Sequence, residues 1–182
     1  MPEENNQEFT VKPIGFVESN YRDFDDVPHG HGDDKKGWNE ESCRIVLLPE
    51  HAGKLQGLEG FSHIIVLFWV HKSKDWRMPR GHKLPKGVKV FGTRMPRRPN
   101  PIGMSVVRLS GACPKTGAID VVGLDCLNGT PVLDIKPYLV FCDCYPDATI
   151  PEWVRKKRAG HHHHHHAERN HETEQEAAGG KA

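Results

Sequence analysis

An unusual density of arginine and proline is the chemically most suggestive feature of this 182-residue chain. The segment Val90–Gly103 reads VFGTRMPRRPNPIG, with three arginines (Arg94, Arg97 and Arg98) and three prolines (Pro96, Pro99 and Pro101). Guanidinium groups pair with phosphate and carboxylate oxygens through two parallel hydrogen bonds. Proline fixes φ and lacks an N–H, so this arginine-proline segment is predicted to be a stiff, extended loop. Such a loop suits RNA phosphate or a ligand carboxylate, and the alternative is a solvated basic loop.

The charge around this segment is one-sided. The whole chain has a formal net charge of +1, but the window from His71 to Arg108 holds eleven Lys or Arg residues against one acid, a local charge of +10. This distribution predicts attraction of a polyanion, and the alternative is a solvated edge. The predicted RNA contacts are Lys83, Lys86, Arg97 and Arg98. Trp69, Trp76 and Phe91 lie in or next to this window as candidates for stacking on RNA bases, although Trp69 and Phe91 are expected in the core.

Composition narrows the class of protein. With 18 glycines and 14 prolines, the chain favours short strands and turns over a helical bundle. The five cysteines form an odd set, so free thiols in a reducing, cytoplasmic setting are expected. No signal peptide is expected from the polar start Met1–Gln7, and the longest apolar run, Ile64–Val70, is too short to span a bilayer. Cys142 and Cys144 lack C-x-x-C spacing, so no metal is expected.

Short apolar runs separated by turn residues predict a mainly β fold. Runs with strand character are Val11–Glu18, Cys43–Leu48, Ser62–Val70, Lys86–Phe91, Ile102–Leu109, Ala118–Leu124, Pro131–Ile135 and Tyr138–Phe141. Pro49–Leu58 is predicted to form one or two helical turns, and Asn128-Gly129 indicates a type I′ hairpin turn. About eight short strands with little helix predict an antiparallel β-barrel or a strongly curled sheet.

The chain changes character after Trp153. Six consecutive histidines, His161–His166, precede a polar tail, as in a purification tag or a low-complexity insertion. We therefore expect a disordered N-terminus (residues 1–10), one β-barrel domain (residues 11–153) and a disordered, basic and His-rich tail (residues 154–182).

Five blocks of sequence occur in an order that resembles one family. They are IGFVES (Ile14–Ser19), LEGFSHI (Leu58–Ile64), LFWVH (Leu67–His71), VFGTRMPRRPNPIGMSVV (Val90–Val107) and GLDCLNGTPVLDIKPYL (Gly123–Leu139). The pattern resembles the TrmO family of S-adenosylmethionine-dependent methyltransferases over about residues 11–153. The resemblance implies a single-sheeted β-barrel that methylates N6 of the threonylcarbamoyladenosine beside the tRNA anticodon. It also implies a homodimer with the cofactor near the subunit interface.

The resemblance further implies a cofactor site. Its residues are Pro28, His29, Gly30, His71, Lys72, Arg94, Met104, Asp125, Cys126, Leu127, Asn128, Gly129 and Thr130. Backbone groups of Leu127 and Asn128 would read the adenine. The sequence departs from the family pattern at His29-Gly30, where the family has Arg-Gln, at Lys72, where it has Gln, and at Asn128, where it has Asp.

For Arg94 and His71 the sequence allows more than one interpretation. A guanidinium beside a sulfonium would repel it, so Arg94 either clamps the methionyl carboxylate of the cofactor or grips tRNA phosphate. A third interpretation is that Arg94 ties the loop down through backbone hydrogen bonds. His71 ends a predicted buried strand and is either a residue at the edge of the core or a ligand-binding residue.

Methyl transfer to N6 requires that nitrogen to lose a proton, so a general base within about 2.6–3.2 Å is expected. The candidates are Asp134, Lys136 and Tyr138 in the DIKPY block. Asp134 and Lys136 lie at i and i+2 and are alternatively a surface ion pair, and transfer by positioning alone needs no base. Two other functions remain open, a methyltransferase acting on a small molecule and a non-catalytic nucleic-acid-binding barrel.

Overall fold

A computed structural model describes residues 8–27, 41–73 and 84–156. Within them lie six strands, β1 (Gly15–Glu18), β2 (Ser42–Leu47), β3 (His63–Trp69), β4 (Ile102–Cys113), β5 (Ala118–Val122) and β6 (Pro131–Pro137). Two short helices are α1 (Pro49–Ala52) and α2 (Val140–Asp143), and 3-10 turns lie at Phe24–Asp26, Gly53–Leu55, Leu58–Gly60 and Val90–Gly92. Residues 152–156 are also helical. The expected mainly β fold with short helical turns is confirmed.

The six strands close into one barrel in the order β1-β2-β5-β4-β3-β6. Every neighbouring pair is antiparallel. Because each odd-numbered strand has only even-numbered neighbours, β1, β3 and β5 run one way and β2, β4 and β6 run the other way. The β1–β2, β3–β4 and β5–β6 connections therefore lie at the same end of the barrel. We call this end the loop end, and the described residues that form it are 19–27, 41, 70–73, 84–101 and 123–130.

The barrel interior is filled by the inward half of an alternating strand pattern. Almost fully buried side chains come from all six strands, namely Val17, Ile45, Ile64, Val66, Val107, Ile119, Val121 and Val132. All are β-branched, and such side chains pack well on pleated strands. Leu124, Cys126 and Leu127 are buried beyond the end of β5. The β5–β6 connection therefore continues the core and covers the barrel at the loop end.

β4 is the longest strand and serves two neighbours. Its first half pairs with β3, from Ile102 opposite Trp69 to Arg108 opposite His63, and its second half pairs with β5. The register shifts once in the β4–β5 pair and once in the β3–β6 pair. Such irregularities increase local twist, which lets a small sheet curl until its edges meet.

Two runs expected to be strands are not strands. Lys86–Phe91 contains a turn closed by Val88 N–H and Pro85 O at 3.1 Å, followed by a 3-10 turn. Tyr138–Phe141 leads into α2 instead of extending β6. Tyr138 N–H still bonds to the carbonyl of His63, the first residue of β3. Beyond it β3 offers no further backbone partner, so the apolar run leaves the sheet.

The Asn128-Gly129 turn is present, but the hairpin prediction is wrong. β5 pairs with β2 and β4, whereas β6 pairs with β1 and β3. Gly129 has φ of 76° while Asn128 has negative φ, and Thr130 N–H donates to Leu127 O at 3.1 Å. This is the pattern of a type II turn, not of type I′. Gly129 N–H also bonds to Val17 O at 2.7 Å, which fixes the turn to β1.

The termini of the chain lie largely outside the described residues. Residues 1–7 and 157–182, including the histidine run, are among those not described. The expected domain boundaries therefore stay predictions. In the described part of the chain, none of the helices has the length and apolar character needed to cross a bilayer.

Gly103 is required by packing. A Cβ at this position would lie 2.1 Å from Cε2 and 2.3 Å from Cζ of Phe68, whose ring is buried. We expect Gly103→Ala to lower the free energy of unfolding by about 1–3 kcal/mol, the usual range for overpacking. Urea denaturation measures this change.

Gly53→Ala is the matched control. Nothing lies within 4 Å of a Cβ built at Gly53, and its φ of −63° suits alanine. This variant should keep or slightly raise the stability. Replacing Phe68 by leucine in the Gly103→Ala background should restore part of the loss. An equal loss in both glycine variants would contradict the packing argument.

Candidate functional site

Three segments that the sequence marks as functional meet at the loop end. The β3–β4 connection is fastened by Val70 N–H, which donates to Pro101 O at 2.8 Å, and by Ser73 Oγ, which lies 3.5 Å from Pro96 O. Thr130 Oγ1 of the β5–β6 connection lies 3.4 Å from His71 Nδ1. The arginine-proline segment, the His71-Lys72 pair and residues 125–130 are therefore neighbours in space.

The turn at Asn128 is fixed by the chain that follows β1. Asn128 N–H donates to Tyr21 O at 2.7 Å, and Asn128 Oδ1 accepts from Ser19 N–H at 3.2 Å. Ser19 Oγ donates to Cys126 O at 2.8 Å. Because the N–H of Asn128 is engaged within the protein, an adenine that used it would have to displace this bond.

Three of the predicted cofactor residues present almost no surface to solvent. Cys126, Leu127 and Thr130 are 2, 6 and 3 % exposed. Burial, followed by the charge of Asp125, raises the pKa of the Cys126 thiol well above its ordinary value. This thiol therefore stays protonated and is not a nucleophile at neutral pH. These residues shape the site through backbone and packing, while Asp125 and Asn128 are exposed.

Negative charge at the loop end is carried by carboxylates. Ser105 Oγ on β4 donates to Asp125 Oδ1 at 2.8 Å. Burial raises the pKa of Tyr21 to about 12 and that of Cys43 to about 11, and the charges of Glu41 and Asp125 add to both shifts. Tyr21 and Cys43 are therefore neutral at physiological pH. Glu41 and Asp125 supply the negative charge beside them.

His71 and Lys72, which follow β3, have different environments. His71 is exposed, so its imidazole is accessible, while its Nδ1 lies 3.4 Å from Oγ1 of buried Thr130. Both interpretations of His71, a residue at the edge of the core and a ligand-binding residue, therefore stay predictions. Partial burial and the neighbouring Lys72 charge lower the pKa of His71, so the ring is neutral at pH 7. Lys72 Nζ donates to the carbonyl of Arg22 and lies 3.5 Å from Asp23 Oδ1. Lys72 thus ties the β1–β2 connection to the end of β3.

Arg98 makes hydrogen bonds to backbone carbonyls of its own loop. Its Nη1 donates to Thr93 O at 2.8 Å and lies 3.4 Å from Val90 O. Its guanidinium carbon lies over the Phe91 ring, 5.8 Å from the ring centre. Any RNA contact by Arg98 would use its remaining N–H groups. The expectation that Phe91 and Trp69 lie in the core is wrong, since these side chains are 79 and 36 % exposed.

Arg94 makes the kind of backbone contact that the loop-fastening interpretation expects. Its Nη2 donates to Met104 O on β4 at 3.1 Å. A guanidinium has five N–H donors, so this bond leaves others for an anion. Arg97 and Lys86 are both exposed. The loop end therefore presents several cationic groups to solvent.

The three catalytic candidates do not converge on one point. Asp134 and Lys136 lie on the outside of β6 and form an ion pair with each other. Asp134 lies opposite Leu67 on β3, and Leu67 lies opposite Met104 on β4. Two strand spacings, about 10 Å, thus separate the backbones of Asp134 and Met104. Tyr138 packs edge-on against His63, 6.4 Å between ring centres, away from the loop end.

An open cleft of about 670 Å³ runs along the opposite flank of the barrel. Its walls are polar and apolar in about equal parts and include Glu18, Ser42, Arg44 and Asp120, of which Arg44 and Asp120 are paired at 2.7 Å. Apart from Asn128 at its rim, the cleft contains none of the predicted site residues.

Some predicted residues lie outside the described part of the chain. They are Pro28, His29, Gly30, Lys83 and Trp76. All five cysteines are free. Residues 8–27, 41–73 and 84–156 contain no cluster of three His, Cys, Asp or Glu side chains that could hold a metal ion.

Sequence reasoning did not identify Ser19, Tyr21 and Ser105 as site residues. All three position the β5–β6 connection through the hydrogen bonds given above. The one signal for Ser19 is its place at the end of the IGFVES block. Tyr21 and Ser105 act through contacts between distant parts of the chain, which local sequence does not reveal.

The chain matches known proteins over the whole barrel. The family model of the tRNA-methyltransferase O N-terminal domain matches residues 16–144. A probable S-adenosyl-L-methionine-binding protein of Methanothermobacter thermautotrophicus is 38 % identical over 138 residues, 74 % of this chain and 93 % of the relative. A tRNA (adenine(37)-N6)-methyltransferase of Escherichia coli is 39 % identical over 148 residues, 78 % of this chain and 62 % of that enzyme.

A solved structure agrees with these matches. The crystal structure of TrmO from Pseudomonas aeruginosa matches with a TM-score of 0.67 at 34 % identity, covering 82 % of this chain and 63 % of that one. This chain thus spans less than two thirds of the E. coli and P. aeruginosa proteins. The matched range includes the arginine-proline segment, His71-Lys72 and residues 125–130. The chain belongs to the tRNA-methyltransferase O N-terminal domain family.

Proposed function

We propose that this chain transfers a methyl group from S-adenosylmethionine to N6 of the threonylcarbamoyladenosine beside the tRNA anticodon. The observation that carries the proposal is the meeting of Arg94, His71-Lys72 and residues 125–130 at one end of the barrel. Relatives named as S-adenosyl-L-methionine-binding proteins and as tRNA (adenine(37)-N6)-methyltransferases support both the methyl donor and the acceptor.

The charges at the loop end suit a sulfonium methyl donor. When bound, S-adenosylmethionine supplies a methyl group activated by a positively charged sulfur. Neutral His71 adds no opposing charge, and exposed Asp125 offers an attractive one. The N–H groups of Arg94 that do not bind Met104 suit the carboxylate of the methionine moiety, since guanidinium–carboxylate bonds are strong and directional. Arg94 is thus proposed to fasten the loop and to clamp the donor.

Among the three base candidates, Asp134 fits best. It shares the outer face of the barrel with Met104, whose carbonyl binds Arg94. Tyr138 lies at the other end, and Lys136 pairs with Asp134. A carboxylate can accept the proton that N6 loses, and the ion pair with Lys136 orients that carboxylate.

The RNA partner is proposed to be the anticodon stem-loop of tRNA in the cytoplasm. Its loop offers unstacked bases and single-stranded phosphates, which aromatic and basic side chains recognise. Exposed Lys86 and Arg97 lie on the connection that carries Arg94. Phosphate contacts from these residues would position the RNA without reading its sequence.

A homodimer is supported by an apolar outer face on β3 and β4. The pairs Ile65–Val106, Leu67–Met104 and Trp69–Ile102 lie directly opposite each other in register. Trp69, Ile102, Met104 and Val106 are 36–47 % exposed. A contiguous apolar face of this kind marks a protein interface. Since Met104 belongs to it, a second copy packed there would bring the proposed cofactor site to the interface.

The first test is transfer of label from S-adenosylmethionine carrying a radioactive methyl group. tRNA that contains threonylcarbamoyladenosine should gain label in that nucleoside, identified by digestion and mass spectrometry. tRNA lacking the threonylcarbamoyl group should gain much less. Label in neither RNA would overturn the proposal, and label in a small-molecule fraction instead would favour the small-molecule alternative.

Arg94→Ala is the companion variant for this test. It should weaken binding of S-adenosylmethionine by about 10- to 100-fold in calorimetry, the usual loss of a charged hydrogen bond. Arg108→Ala is the matched control, because Arg108 is an exposed arginine on β4, the strand whose Met104 carbonyl binds Arg94, but it lies opposite His63, away from the loop end. A loss of tRNA affinity alone would instead assign Arg94 to phosphate.

Asp134→Asn tests the proposed base. We expect kcat to fall by about 100-fold or more while the affinity for S-adenosylmethionine is unchanged, because only the proton acceptor is lost. Lys136→Gln should have a smaller effect on kcat, and Tyr138→Phe none. If Asp134→Asn and Lys136→Gln lower stability alike and leave kcat unchanged, the pair is merely structural.

Val106→Asp tests the proposed dimer. Sedimentation of the wild-type chain should give a dimer at micromolar concentration, and the variant a folded monomer, because a carboxylate cannot be buried unpaired in an apolar interface. Phe141→Asp, at an exposed site on α2, should stay dimeric. A monomeric wild-type chain would refute this part of the proposal.

A further inference from the structure

We propose that Phe91 is a stacking platform for an unpaired base of the RNA, an inference that rests on the tRNA substrate proposed above. Single exposed apolar side chains are common, so exposure alone assigns no function. Three further properties distinguish Phe91, namely a fixed backbone, a cation on one ring face and a sequence neighbourhood, residues 84–101, whose charged side chains are all basic.

Three hydrogen bonds fix the backbone on either side of Phe91. Phe91 is the middle residue of the 3-10 turn Val90–Gly92. Gly92 N–H donates to Lys89 O at 3.0 Å. Val90 O accepts from both the N–H and the hydroxyl of Thr93, at 3.0 and 2.7 Å. The ring therefore projects from a fixed point, which reduces the entropy lost when a ligand binds.

One face of the ring is already occupied. The Arg98 guanidinium lies over it, and Thr93 O and Val90 O hold that guanidinium in place. A cation on one face of a phenyl ring leaves the opposite face free for a second planar group. Since the side chain is 79 % exposed, that opposite face is open to solvent.

The charged residues near Phe91 in the sequence indicate which kind of ligand its open face binds. Between residues 84 and 101 the sequence has five basic side chains and no acid, namely Lys86, Lys89, Arg94, Arg97 and Arg98. An aromatic face among cations matches single-stranded nucleic acid, which presents a flat base beside each phosphate. A second copy of this chain would bring the same positive charge, which opposes packing of two such loops against each other.

The position of the loop indicates which RNA region is bound. Arg94 fastens the segment to β4, and Pro96 meets Ser73 beside His71-Lys72. Phe91 thus projects from the loop that carries the proposed cofactor clamp. Its partner is therefore inferred to be an unpaired base of the anticodon loop that flanks the methylated adenosine.

Two RNA probes test the inference, a synthetic anticodon-arm hairpin and a fully paired RNA duplex of equal length. Fluorescence anisotropy at one salt concentration gives the affinities. Phe91→Ala and Phe91→Leu should weaken hairpin binding by about 10-fold, within the range of one lost base–aromatic stack, and leave duplex binding unchanged. Phe91→Trp should retain affinity, and the hairpin should quench its fluorescence more than that of the wild-type chain.

Phe141→Ala is the matched control, because Phe141 is 85 % exposed on α2 at the other end of the barrel. It should bind the hairpin like the wild type. Unchanged hairpin affinity in Phe91→Ala would overturn the inference, as would an equal loss for hairpin and duplex. A loss of dimer in sedimentation with unchanged RNA affinity would assign Phe91 to a contact between copies.

The outcome is separable from that of the proposed function. Hairpin binding requires no methyl transfer, so a wild-type chain that binds the hairpin but labels no tRNA would refute the function and leave the stacking test readable. A chain that labels tRNA while Phe91→Ala binds the hairpin normally would refute the stacking platform alone.

Discussion

Antiparallel closure of a six-stranded ring is the constraint on which the site depends. Every neighbour in the ring runs in the opposite direction, so odd and even strands alternate around it. The three odd-to-even connections must then meet at one end, whatever their sequences. Residues far apart in the chain, such as His71, Arg94 and Asp125, are brought to one region by topology, and hydrogen bonds such as those of Ser19 and Tyr21 to the Asn128 turn fix the details.

The barrel core extends into the site. Leu124, Cys126 and Leu127 are buried beyond the end of β5, so the connection that carries exposed Asp125 and Asn128 is anchored by alternate residues packed on the barrel interior. The same principle holds on β4, where Gly103 leaves room for the Phe68 ring directly beside the outward-facing residues Ile102 and Met104. Packing inside the barrel thus sets the position of functional groups outside it, because alternate residues of one strand face opposite ways.

The sequence predicted the positions of strands and turns better than it predicted which strands pair with each other. β-branched alternation located β2, β3, β4 and β5 to within a few residues, since burial of one face leaves a local signal. Asn128-Gly129 was correctly a turn, but the strands on either side pair elsewhere, and no local pattern states which strands meet. Tyr138–Phe141 has strand-like composition, but beyond the bond from Tyr138 N–H to His63 O no strand partner remains, so the chain continues into α2. The family resemblance identified most of the candidate site residues, whereas the contacts between them became visible only in the structure.

The arginine-proline segment shows how one charge cluster serves two purposes. Proline restricts the backbone but supplies no N–H groups for a turn, so the loop needs other donors to satisfy its carbonyls. Arg98 and Arg94 provide them at Thr93, Val90 and Met104. Each guanidinium keeps its charge while giving up part of its donor set, so the loop is fastened without becoming less basic. A lysine would carry the same charge but could not reach two carbonyls and a ring face in a fixed plane. Arginine thus lets this loop be rigid and keep the positive charge that the proposed anion binding requires.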